Sequence, residues 1–205
     1  MEVTYQAAWV PDDDPHRPWE EALALAAEWV ADRCEAENAL AVLVTNAFNS
    51  PSYPAVLARL GGYDHVTPRS SAQIAGERPT LAFVPVPKAM DLAVHLARNS
   101  SLAVVESRNL YPLSAWARGV GAINLLDPDG AIAPLDARLA EAVEDLHMCG
   151  NNGYVDNYGK RDAKRILAGL KQQGILDIDE IVGAVSARGI RHEAAARLRE
   201  LAAKA

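Results

Sequence analysis

TLAFVPVP (80–87), KAMDLAVHLARNS (88–100), SLAVVES (101–107), LYPLSAWARGVGA (110–122) and INLLD (123–127) carry the reading of the fold. Three short runs of Leu, Ala, Val, Ile and Phe alternate with two segments whose apolar residues recur at helical spacing. That is the pattern of consecutive strand and crossover-helix units. LAFV, LAVV and INLL are continuous apolar runs and not alternations, as expected of strands buried on both faces. The segment predicts an α/β fold with a mostly parallel, Rossmann-like three-layer sheet.

Working outward, Ala39–Thr45 (ALAVLVT) predicts a further strand and His65–Thr67 a short one, giving a sheet of about five. Residues 3–10 add a candidate edge strand, ended by PDDDPHRP. Trp19, Leu23, Ala26, Ala27 and Val30 recur along one face of a helix expected from Pro18 to about Ala36, with the preceding aspartates placed for its amide end. A short helix through Val56, Leu57 and Leu60 is expected to stop at Gly61-Gly62, and Ser70 or Ser71 to cap another. Beyond the sheet, helices are expected over 134–148, around 163–170 up to Gly174, over 181–187 and over 191–204. These few-aromatic helices form a small C-terminal region with a soft boundary near Gly150.

The chain has 205 residues, half of them hydrophobic, enough for a sizeable core. Its apolar runs are broken by charge before the length of a membrane span, and MEVTYQAAW lacks a signal-peptide pattern, so the expectation is a cytoplasmic protein with no membrane partner. Residues 1–150 hold 10 Lys and Arg against 20 Asp and Glu, net −10, while 151–205 hold 10 against 7, net +3. Such a basic tail suits a nucleic-acid contact or docking on acidic protein surface. Cys34 and Cys149 form no CxxC or Cys/His pattern and read as small buried hydrophobes. The five histidines (16, 65, 95, 147, 192) form no HxH or HxxxH pair, so no metal site is expected.

In open parallel sheets, ligands bind outside the carboxyl ends of the strands, near the reversal of strand order. The residues following the predicted strands are Asn46, Asn49 and Ser50; Arg69, Ser70 and Ser71; Lys88; Glu106, Ser107, Arg108 and Asn109; and Asp127. Three cations among hydroxyls and amides, beside helix amino ends, suit a small anionic or nucleotide-like ligand. The ligand-binding candidates are Asn46, Asn49, Arg69, Ser70, Ser71, Lys88 and Arg108. Glu106 is the catalytic candidate: a carboxylate closing LAVVE is placed for acid-base duty, although a salt bridge to Arg108 or a helix cap accounts for it as well. GxGxxG, GxxxxGK[ST] and GxSxG are absent, which disfavours P-loop, classical dinucleotide and hydrolase-elbow readings and leaves the cofactor undefined.

Two further features remain. GNNGYVDNYGKR (150–161) reads as a compact Gly/Asn turn between helices, or as a recognition loop using Asn152, Tyr154, Asp156, Tyr158 and Lys160. IVGAVSARGIRHEAAARLREL (181–201) has the form of a helix-turn-helix, for which Arg188, Arg191, Arg197, Lys160, Arg161, Lys164 and Arg165 would be the phosphate contacts. Three functions follow: small-ligand binding with or without turnover, nucleic-acid binding by the basic helices, and non-catalytic assembly into a homo-oligomer.

Overall fold

A computed structural model describes residues 4–48, 60–70, 74, 76–109, 111, 113–130 and 133–205. It divides into two compact units, Thr4–Pro112 with Ala122–Gly130, and Leu113–Gly121 with Ala131–Ala205.

The first unit is a parallel sheet of six strands: β1 (Gln6–Val10), β2 (Val42–Val44), β3 (Asp64–Val66), β4 (Thr80–Phe83), β5 (Ser101–Val105) and β6 (Ile123–Asn124). Their order is β3-β2-β4-β5-β1-β6. The apolar runs behave as a doubly covered sheet requires: every residue of β2, β4 and β5 is buried. Register sets Leu43, Leu81, Ala103 and Ala8 in one row on one face, and Val44, Ala82, Val104 and Trp9 in a row on the other. Helix α1 (Trp19–Glu37) covers the first face, with Ala22, Leu23, Ala26 and Val30 in the core formed by Leu43, Leu81, Phe83 and Val105.

Chain direction explains the layering. The β1-to-β2 connection through α1 crosses β5 and β4 one way, while the β4-to-β5 connection through α2 (Pro87–Leu96) runs the other way. Right-handed crossovers of opposite direction put their helices on opposite faces. Ala89, Met90, Ala93 and Leu96 are the buried residues of α2, which packs on β2 and β4.

β1 differs from the expected edge strand. It is interior, between β5 and β6, because α1 carries the chain back over β5 and β4 before β2 forms. β1 also raises the strand count from five to six. The edge on that side is β6, where INLL contributes only two residues and leaves Ile123 43% exposed. Leu125 and Leu126 turn back against the α1-side core. The expected helix around Val56 and Leu57, and the cap at Ser71, lie outside the described residues.

The second unit is helical: α3 (Ser114–Val120), α4 (Ala137–Cys149), a 3-10 turn (Gly150–Asn152), α5 (Asn157–Gln172), α6 (Ile178–Ala187) and α7 (His192–Ala203). Asp136, Asp156 and Asp177 cap α4, α5 and α6 by accepting from the amides of Arg138, Gly159 and Glu180. Leu139, Val143, Leu146, Leu167, Ile181, Val185 and Leu198 meet in its core. α3 and α6 approach at small residues: a Cβ on Gly183 would lie 2.5 Å from that of Ala115, and one on Gly119 2.6 Å from that of Ala187. Cys34 and Cys149 are half-buried free thiols, and burial raises the pKa of each. No helix among the described residues is long and apolar enough to cross a membrane.

Candidate functional site

The strand order reverses between β2 and β4, whose outgoing connections lead away from each other. Asn46, the second residue after β2, bridges that gap: its Nδ2 donates to Val84 O at 2.9 Å and its Oδ1 accepts from Val86 N at 2.8 Å. Val84 follows β4 with φ at 42°, and its N–H donates to Val105 O at 2.9 Å. A β-branched residue in left-handed backbone is strained, and such strain persists only where surrounding bonds over-determine it. Asn46 supplies two of those bonds, so its amide positions the β4–α2 connection and is not turned toward a ligand.

That connection delivers the first turn of α2. Val86 is an N-cap without a side-chain hydrogen bond, and Pro87 follows it as the first helical residue. The Lys88 amide heads the helix, where no preceding turn accepts from it, and the Lys88 side chain is exposed. A helix amino end with an exposed ammonium in its first turn attracts an anion. On the β2 side, Phe48 is 48% exposed and meets the His65 ring edge-on at 4.7 Å between centroids. His65 Nε2 is 2.7 Å from Thr45 Oγ1, which also lies 3.1 Å from Ala47 O. With the single hydroxyl proton on Ala47 O, His65 donates to Thr45 Oγ1 from Nε2.

Burial lowers the pKa of His65. A group whose pKa is depressed on folding contributes stability that is present above its unfolded pKa and lost as pH falls through its folded value. Urea unfolding followed from about pH 8 to 5 should therefore show stability falling below roughly pH 6.5. His65→Gln should remove part of that fall. His147, lowered in the same direction by burial, supplies another part.

At the end of β3, the predicted hydroxyl and cation separate in role. Ser70 Oγ donates to Thr67 O at 3.0 Å and accepts from Thr67 N at 3.2 Å, closing a tight turn. Arg69 N donates to Thr67 Oγ1 at 3.3 Å, while the Arg69 side chain is exposed. Asn49 and Ser71 lie outside the described residues.

A second reversal lies between β5 and β1, whose outgoing connections lead to strands in opposite directions along the sheet. Glu106 is 5% exposed, and its Oε2 accepts from Asp12 N at 3.1 Å. Arg108 N donates to Asp12 Oδ2 at 2.9 Å, so the two strand ends are laced together. The Arg108 side chain is exposed. A shallow, solvent-open depression of about 10 Å³, room for about one water, is lined there by Asp12, Asp14, Arg17, Trp19 and Glu106 over Val10 and Val105. Arg17 Nη1 donates to Pro11 O at 3.0 Å and to Asp13 Oδ1 at 2.6 Å, and that bond lowers the pKa of Asp13.

Asn152 and Lys160 belong to the helical unit. Asn152 Nδ2 donates to Asp156 Oδ2 at 3.3 Å, and Lys160 is exposed on α5. Only residues 150–156 join α4 to α5. Tyr154, expected as a candidate recognition residue, is fully buried, its hydroxyl donating to Leu146 O at 2.7 Å.

Sequence reasoning missed Val84, Phe48, Asp12, Arg17 and Trp19. By sequence Asp12 and Arg17 read as turn and Trp19 as helix, and only the interior position of β1 makes the residues after it part of the sheet's carboxyl edge. Phe48 had a signal, as an aromatic two residues beyond a polar strand end; Val84 had none. No family model, curated protein or solved structure matches the chain.

Proposed function

We propose that this is a cytoplasmic protein that binds a small anionic, nucleotide-like ligand at the carboxyl edge of its parallel sheet, between β2 and β4. The observation that carries the reading is the strained Val84, held by both atoms of the Asn46 amide beside the uncapped first turn of α2. The Lys88 amide and ammonium take the anionic group, and exposed Phe48 offers a face to a flat ring. If the ligand is turned over, Glu106 is the group assigned to proton transfer.

Thermal unfolding against nucleotides, dinucleotides and sugar phosphates tests this. A ligand at 100 times its Kd adds about 2.7 kcal/mol, a rise of roughly 5–10 °C at this chain length. The expected result is a rise with one phosphorylated compound that is lost in Lys88→Ala and reduced in Phe48→Ala. A rise that survives Lys88→Ala, or an unchanged midpoint with every anion, overturns the assignment.

A further inference from the structure

We propose that the outward face of α5 binds single-stranded nucleic acid, with Tyr158 as the stacking platform. The predicted helix-turn-helix cannot serve this purpose. The exposed residues of α7 include Glu193 and Glu200, Arg197 donates to Gly153 O at 3.0 Å, and Arg199 pairs with Asp179 at 2.6 Å. Arg188 pairs with Glu144. Those cations are already engaged, and two carboxylates stand where phosphates would approach.

On α5 the arrangement is different. Gly159, Ala163, Leu167 and Leu170 face the helical core, which leaves Lys160, Arg161, Lys164, Arg165 and Lys171 on the exposed side. Asp162 is the acid within this helix, half-buried and 3.7 Å from both Arg161 and Arg165. A helix rises about 1.5 Å per residue, so the cations line some 16 Å of one face. Tyr158, in the first turn, is 72% exposed, and the Arg161 guanidinium lies 5.3 Å from its ring centroid. A cation-backed ring held in solvent beside a row of lysines and arginines is the combination that binds single strands, where every base has a face to stack and every phosphate a charge to neutralise. The net −10 of the first 150 residues makes them a poor general ground for a polyanion, in contrast to the net +3 of residues 151–205.

Fluorescence anisotropy of a labelled oligothymidylate at roughly 50 mM salt tests the proposal. The expected result is binding whose log K falls with log salt at a slope of about −3, for four to five neutralised phosphates. Tyr158→Ala should weaken it roughly 5- to 150-fold with the slope unchanged. Lys164→Glu with Arg165→Glu should abolish it while circular dichroism shows the helices intact. Absence of binding overturns the proposal. So does equal affinity for heparin and for duplex DNA with no loss in Tyr158→Ala, which would reveal a generic cationic patch. A salt-sensitive dimer broken by the charge-reversed variant, without affinity for the oligonucleotide, would assign the face to the acidic surface of a second copy.

Discussion

Tyr154→Ala will lower the stability of the helical unit by about 3–5 kcal/mol, whereas Tyr154→Phe will cost about 1 kcal/mol. The gap between the two follows from how the residue is held. Tyr154 is fully buried among α4, α5 and α7 core residues, so truncation removes a whole ring and leaves a cavity. Its hydroxyl donates to Leu146 O, but that carbonyl also accepts from Gly150 N, so phenylalanine leaves the acceptor with a partner. Burial raises the pKa of the phenol and keeps it in its donating form at any physiological pH. The ring also accounts for a neighbouring glycine: a Cβ on Gly150 would come within 2.5 Å of it. A loss of about 3–5 kcal/mol is about a fifth or more of the total for an ordinary domain, easily read from urea unfolding by circular dichroism. A loss below about 1 kcal/mol in Tyr154→Ala would show that the ring does not fill this core.

Gly183→Ala is expected to destabilise by up to about 2 kcal/mol although alanine is the better helix former. The intrinsic preference for alanine inside a helix contributes about 1 kcal/mol in its favour. Against it stands the contact with α3, where the new Cβ would lie 2.5 Å from Ala115 Cβ and 3.1 Å from Trp116 N. Forcing a methyl into a closed interface costs about 1–3 kcal/mol, and part of the obstacle here is backbone, which cannot rotate aside. Gly183→Leu should cost about 3 kcal/mol or more. Adding Ala115→Gly to Gly183→Ala removes the closest clash, so the double variant should lose less than the sum of its parts, with a coupling of 0.5 kcal/mol or more. Strict additivity in denaturant unfolding would mean that α3 and α6 do not meet at these residues. The reciprocal approach of Gly119 to Ala187 leaves α3 no room to slide along α6 and relieve the strain.

The sheet was legible because its central strands are short and wholly apolar, a pattern that amphipathic helices do not produce. Helix limits were legible where the chain marks them, as at Pro18 before α1 and at Gly174, whose φ of 70° ends the run after α5. Strand order was not, since periodicity says which residues are buried but not beside what. That is why QAAWV, with its exposed first residue and half-buried tryptophan, read as an edge while occupying the interior. The site was legible only in outline. An asparagine after a strand looks the same whether its amide meets a ligand or, as at Asn46, two backbone groups of the next connection. Glu106 likewise reads as a candidate acid or base, a partner of Arg108 or a cap, and its bond to the amide of Asp12 joins residues 94 apart in sequence. Local spacing carries no information about such pairs.

The interior position of β1 also fixes an order of events during synthesis. Gln6 pairs with Ser101 and Ala8 with Ile123, so the strand of this sheet that is made before the others is the one whose neighbours arrive last. At 5–20 residues per second, β1 waits roughly 5–20 s for β5 to be made. Until then β2, β3 and β4 can associate as a three-stranded sheet with one open flank, while α1 has no β5 or β1 beneath it. Closing that long loop last makes this a slowly maturing sheet, and the nascent chain carries an unpaired β4 edge throughout the interval.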